Sequence, residues 1–283
     1  MAKGFPTILI TGGSGYIGRN LIKKSTEKFY ASWTYFRNKV GGITSQSFLL
    51  DMRNSESVRS LIYRIKPSLI YHLAYDRNEL YESIVIGTRN ILNACKGMNI
   101  KVFFLSTDSV FDGKRSWYKE EDTPQPIFDY GRIKYEAEKI VLEYGGLVIR
   151  TSLVYGLKPI DPRTDELLSG LKTSHFLYGY FTDEYRCPIF VDDLCESLLE
   201  LPHMNTPRIL HIAGSERINR YDFSVRLAKC FGFDGRTIPA GSLEGSGMIR
   251  PKDVSLQTSL AKKLLKTRLR SSVEVLEGKI YPF

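Results

Sequence analysis

The sequence predicts an α/β protein built on a doubly wound parallel sheet, and two observations carry that reading. Short apolar, β-rich runs alternate with amphipathic stretches through the first half of the chain. The first of these runs, Thr7-Ile8-Leu9-Ile10, leads directly into the glycine-rich TGGSGYIG at 11–18. Strands are expected over 7–11, 30–36, 47–51, 68–74, 102–107 and 147–154, with amphipathic helices near 17–27, 54–65, 78–97 and 130–144. The order is βαβαβ repeated, a Rossmann-like arrangement whose ligands lie beyond the carboxyl ends of the strands.

Past residue 157 the pattern loosens through LKPIDPRTDE and the tyrosine-rich HFLYGYFTDEYRCPIF. A helix resumes at VDDLCESLLELP, followed by a strand at 209–213 and a helix in RYDFSVRLAKCFG. The expected division is a dinucleotide-binding domain over 1–156 and a smaller C-terminal substrate-binding lobe over 157–283, some of whose segments rejoin the main sheet.

Composition fits an ordinary globular chain of 283 residues, 42% hydrophobic and 25% charged. No apolar run reaches the ~20 residues that span a bilayer, and MAKGFPTILI turns into TGG too soon for a secretory signal, so a cytoplasmic protein without a membrane partner is expected. Cys95, Cys187, Cys195 and Cys230 show no CxxC spacing, and His175, His203 and His211 no ligand spacing, so no metal is expected. The charge of +9 suits anionic ligands. Nucleic acid is not expected as a partner, because the basic residues are dispersed apart from Lys262, Lys263, Lys266, Arg268 and Arg270.

The glycines have a physical reason. A strand ending at Thr11 turns at once into a helix whose N–H groups face a phosphate, and side chains at the turn would block both the bend and the approach. Gly13, Gly15 and Gly18 satisfy GxGxxG, while Gly12, Gly15 and Gly18 satisfy GxxGxxG. At the end of the second strand an acidic residue would bind a ribose 2′-OH, whereas an arginine accommodates a 2′-phosphate. Arg37 stands there without an acidic neighbour in sequence, which points to NADP(H), with NAD(H) as the alternative. Asp51 is placed to reach the adenine amino group or, more plainly, to cap the next helix.

Two more stretches carry chemistry. Tyr130 and Lys134 lie four apart in YGRIK and share a helical face, where a cation lowers a phenol's pKa and makes it a usable proton donor. In FFLSTDSVFDG, Ser106, Thr107 and Asp108 close the fifth strand, where a hydroxyl can bind a substrate carbonyl. Their plainer roles are a surface tyrosine–lysine pair and strand-end turn residues.

Together these residues resemble the extended short-chain dehydrogenase/reductase superfamily. STDSVFDG, YGRIK with YEAEKIV, VIRTSLVYG, RCPIFVDDL and RPKDVSLQTSLAKKLL are similar to the dTDP-4-dehydrorhamnose reductase family, in order along nearly the whole chain. The resemblance implies hydride transfer from a reduced nicotinamide to the 4-keto carbon of a deoxysugar nucleotide. It casts Tyr130 as proton donor, Lys134 as holder of the nicotinamide ribose, and Thr107, with Ser109, on the substrate. Tyr16, Ile17, Met52, Leu73 and Ala74 would join Gly12, Gly15, Gly18, Arg37 and Asp51 along the cofactor. Arg186 and Arg250 would bind substrate phosphates. A homodimer is the assembly left open.

Three residues depart from the pattern on the expected substrate side: Ile84 where sugar epimerases carry Asn, Phe128 where the reductases favour Asn, and Ser109 where Tyr is frequent. An epimerase or dehydratase shares the same Thr, Tyr and Lys. The regulatory β subunit of methionine adenosyltransferase shares the fold and similar motifs without the turnover. His72 is expected to be a satisfied core histidine, and Trp33, Tyr35 and Phe36 to pack the sheet.

Overall fold

The computed structural model describes residues 5–176 and 179–277. Its central sheet contains β1 (Thr7–Thr11), β2 (Tyr30–Tyr35), β3 (Gln46–Leu49), β4 (Leu69–His72), β5 (Lys101–Thr107), β6 (Leu147–Thr151) and the late strand Ile209–Ile212. The seven lie in the order Ile209–Ile212, β6, β5, β4, β1, β2, β3. Pairing from β3 through β5 is parallel, with Ile10 opposite Trp33 and Thr11 opposite His72. Chain order reverses between β1 and β4, the switch point at which such sheets open a crevice. Strands covered on both faces have no need to alternate, and Ile8, Leu9 and Ile10 are all buried.

The crossover helices are α1 (Tyr16–Ser25), α2 (Ser55–Ile65), α3 (Gly87–Cys95) and α4 (Asp129–Tyr144). In α2 the Asn54 side chain accepts from Ser57 N, and Val58, Leu61 and Ile62 form the buried stripe. Asn54 is thus the cap, and the plainer capping role weighed for Asp51 falls away. The helix expected over 78–97 divides, because a π-helical turn at Glu82–Ile86 precedes α3. Ile84 on that turn is buried in the apolar cluster with Leu9, Met52 and Ile70.

Two other differences have local causes. The expected strand at 147–154 stops at Thr151, and Val154–Tyr155 instead pairs in parallel with Ile189–Phe190. The helix α5 (Pro162–Thr173) arises inside the stretch read as loose: the Asp161 carboxylate accepts from Arg163 N and Thr164 N, and Pro162 supplies a preset φ at the first position.

Contacts group the chain into two units that interleave along the sequence, whereas the expected cut at 156 follows chain order. The first runs through Thr107 and adds Asp129–Ile149 and Leu198–Leu210; the second takes Asp108–Phe128, Arg150–Ser197 and the described residues from His211 on. Leu9, Ile70, Val102, Phe104 and Val148 belong to the first unit's core; Tyr155, Leu167, Phe223 and Leu227 belong to the second's. All four cysteines are buried thiols. No helix among the described residues is long and apolar enough to cross a membrane.

Candidate active site

The loop after β1 separates the roles of its glycines. Gly12 takes φ +70°, and a Cβ there would lie 2.7 Å from Ala74 Cα. At Gly18 a Cβ would collide with the Gly12 carbonyl oxygen, so glycine lets α1 sit close on the loop. Gly15 is extended, with φ −71°, and a Cβ would meet only the Gly12 oxygen at 3.1 Å. The left-handed turn thus belongs to Gly12, and Gly15 supplies room. Tyr16 and Ile17 open α1, whose N-cap residue is Gly15. A helix N-terminus beside a cradle of backbone suits an anionic group.

A cavity of about 200 Å³ opens at the carboxyl ends of β1, β2, β3 and β4. Gly12, Ser14 and Gly15 form one wall; the others come from Thr34–Phe36, Leu50–Arg53, Leu73–Asp76 and Ser83. Leu73 and Ala74 line the cavity, their backbone nitrogens donating to Thr11 Oγ1. The same threonine bonds His72 Nδ1 at 2.8 Å, and Thr88 Oγ1 lies 3.0 Å from Nε2. Burial pushes this satisfied histidine down to about 3.

Charges at the cavity are already paired. Arg53 grips Asp51 through Nε and Nη2, a hydrogen-bonded pairing that holds the carboxyl below its ordinary range. Arg37, bare of acidic neighbours in sequence, meets Asp76 at 2.5 Å in space. Phe36, expected in the sheet, is 38% exposed and lines the cavity, with the Arg37 and Arg53 guanidiniums 5.6 and 5.1 Å from its ring centre. The sequence reading also missed Ser14, Arg53, Tyr75, Asp76 and Ser83. Only Ser14, inside the glycine motif, carried a local signal.

Tyr130 and Lys134 approach this cavity through Tyr75. The Tyr75 ring centre lies 6.0 Å from that of Tyr130 and 5.5 Å from Lys134 Nζ. Gly131, Lys134, Glu138 and Val141 form the buried stripe of α4, so Lys134 is placed by helical periodicity rather than by a loop. Its Nζ donates to the Leu105 carbonyl at 2.8 Å and stands 4.5 Å from the Phe104 ring centre. Burial pulls the ammonium down to about 8, with Glu138 opposing. Thr107 is buried at the end of β5. Ser106, weighed as a turn residue, points instead into the helix and donates to Glu138.

Within the second unit the expected phosphate arginines converge on one carboxylate. Arg186 Nη2 lies 2.8 Å from Glu184 Oε1, and Arg250 Nη1 3.9 Å from Glu184 Oε2. Asp108 accepts from Ser109 and Ser152 and lies 3.9 Å from Arg186 Nε. Glu184 and Asp108 complete a charge-balanced cluster that sequence alone did not mark.

Fold, loop and helix face together define the short-chain dehydrogenase/reductase superfamily as the class. More narrowly, the model of the RmlD substrate binding domain matches residues 6–280, and the chain belongs to that family. It is 29% identical over 279 residues to methionine adenosyltransferase 2 subunit beta of Rattus norvegicus, covering 89% of this chain and 80% of the relative. It is 27% identical over 261 residues to a dTDP-4-keto-6-deoxy-D-glucose reductase of Streptomyces niveus, covering 86% of each. A hypothetical dTDP-4-dehydrorhamnose reductase from Sulfolobus tokodaii has a similar structure, with TM-score 0.81, 28% identity and coverage of 94% and 97%.

Proposed function

We propose that the chain is an NADP(H)-dependent reductase of a 4-keto deoxysugar nucleotide. The observation that carries this reading is the buried Lys134 on the Tyr130 face of α4, fixed to β5 and joined to the glycine-loop cavity through Tyr75. Family membership and the Streptomyces niveus reductase support it.

The cradle fits a dinucleotide. Gly12 and Gly15 would border the pyrophosphate, Asp51 and Met52 the adenine, and Lys134 the nicotinamide ribose; when bound, the nicotinamide supplies the hydride. Tyr130 gives its proton to the substrate oxygen as negative charge develops there. The Lys134 cation favours the resulting phenolate, and Thr107 orients the keto oxygen. Arg186 and Arg250 would contact the substrate phosphates from beside Glu184. Arg37, in an exposed pair, would exchange Asp76 for the 2′-phosphate.

A panel of dTDP- and UDP-linked 4-keto-6-deoxysugars, with NADPH absorbance as readout, tests the assignment. Oxidation of NADPH by at least one is expected; sugar interconversion without net oxidation would make the chain an epimerase. The similarity to the rat β subunit favours a second reading, a cofactor-binding regulatory subunit. That reading requires NADPH binding without turnover, together with a changed activity of a methionine adenosyltransferase catalytic subunit on mixing.

A further inference from the structure

Glu138 lies one turn beyond Lys134 on α4 and is completely buried. Its neighbours on the helix, Ala137 and Val141, belong to the aliphatic core, where a carboxylate is costly unless hydrogen bonds and charge compensate it. Here the compensation is specific. Ser106 Oγ donates to Glu138 Oε1 at 2.5 Å, while Lys134 Nζ donates to the Leu105 carbonyl at 2.8 Å. Successive turns of α4 therefore grip successive residues of β5, ending immediately before Thr107.

We propose that Glu138 is a positioning residue: anchored on β5 by Ser106, it holds Lys134 charged and aligned beneath Tyr130. Among the described residues, the other groups beside Lys134 do not offer that charge. His72 on β4 is pushed down to about 3 and stays neutral, and Tyr75 and Tyr130 are phenols. Glu136 turns outward to Tyr81. Glu138 acts on Lys134 against the pull of desolvation. The proposal deepens the reductase reading and depends on it only for its kinetic consequence.

The test uses the full chain labelled with ¹⁵N-lysine, following the Lys134 side chain by NMR through a pH titration. Parent, Glu138→Gln and Ser106→Ala are compared, with circular dichroism for folding. Glu138→Gln is expected to lower the Lys134 midpoint by about one pH unit, and Ser106→Ala by less, because a neighbouring charge shifts a buried group on this scale. The alkaline limb of kcat/KM moves to lower pH by the same amount. A folded Glu138→Gln with the parent's midpoint overturns the proposal. Should that variant not fold, an unchanged midpoint in Ser106→Ala overturns it instead. A parent that turns over no keto sugar removes the reductase reading and leaves the titration to decide this one.

Discussion

The cavity end and the helix end of the first unit hold their charges differently. At the cavity, the Arg37 and Asp76 side chains are 56% and 14% exposed, and those of Arg53 and Asp51 34% and 35%. At the helix, Lys134 and Glu138 are 3% and 0% exposed. Exposed pairs contribute about 0–1 kcal/mol, so they can open and give their guanidiniums to a ligand phosphate with little loss. A buried charge has no water to fall back on and is held by hydrogen bonds that cannot be exchanged without a penalty. On the reductase reading, the first kind of site would recognise the ligand and the second would fix the protonation on which the chemistry depends.

The largest expected effect lies at the helix end. Tyr130→Phe should lower kcat by about 10²–10⁴-fold while NADPH affinity barely changes, since the phenol's proton is needed only as charge develops. Steady-state kinetics on the true keto sugar, beside a binding titration, checks this. Near-parental kcat would show that Tyr130 is not the acid.

Two glycine variants sharpen the cavity side next. Gly15→Val should abolish NADPH binding in a folded chain, because Gly15 is extended and has space for a side chain only where a ligand would sit. Gly12→Val should damage the fold itself, with its positive φ and Ala74 Cα 2.7 Å from a Cβ. Calorimetric titration beside circular dichroism separates the two. A folded Gly15→Val that binds NADPH tightly would leave the loop a structural turn.

The same contrast explains what the sequence disclosed. Motifs that are local in sequence were legible: the glycine loop, the four-residue spacing of Tyr130 and Lys134, and the strand closing at Thr107. Partners brought in by topology were not. Asp76 is 39 residues from Arg37, and Ser106 is 32 from Glu138; nothing in either stretch names its mate. The helix α5 was hidden for another reason: Asp161 and Pro162, which cap its start, are residue types that also mark turns. Phe36 was assigned to the sheet because alternation places a side chain on a face without saying whether anything covers it.

A pH experiment reaches the buried end without a substrate. His72 is held at about 3, below its ordinary 6.5, so its contribution to stability is present above 6.5 and is lost as pH falls toward 3. Each proton excluded in that window changes stability by about 1.4 kcal/mol per pH unit. His211, pushed down to about 3 in the second unit, adds a second such group. Urea unfolding between pH 7.5 and 4.5 should therefore show a falling stability, less steep in His72→Asn. An identical slope in parent and variant would mean that His72 takes up its proton without unfolding.

The smallest expected effects test whether the exposed pair is exchangeable. Arg37→Ala should reduce the NADPH preference by about 10–100-fold, the value of one good charge-assisted contact. Asp76→Asn should act in the opposite direction, and weakly. Its backbone N–H donates to Ser83 Oγ and its Oδ1 accepts from Asn78 N, contacts that an asparagine can keep, so the loop stays as it is. What changes is the competitor for Arg37. An exposed pair of this kind contributes about 0.2–1 kcal/mol, so freeing the guanidinium should tighten NADPH by up to about fivefold. NADH, lacking the 2′-phosphate, should change far less, and 2′,5′-ADP should follow NADPH when titrated in place of the whole cofactor. Equal tightening of NADPH and NADH would mean that Asp76 acts through the general charge of the cavity and that Arg37 does not read the 2′-phosphate. Weaker NADPH binding in Asp76→Asn would mean that the carboxylate positions Arg37, and the pair would then belong with the fixed charges of the helix end.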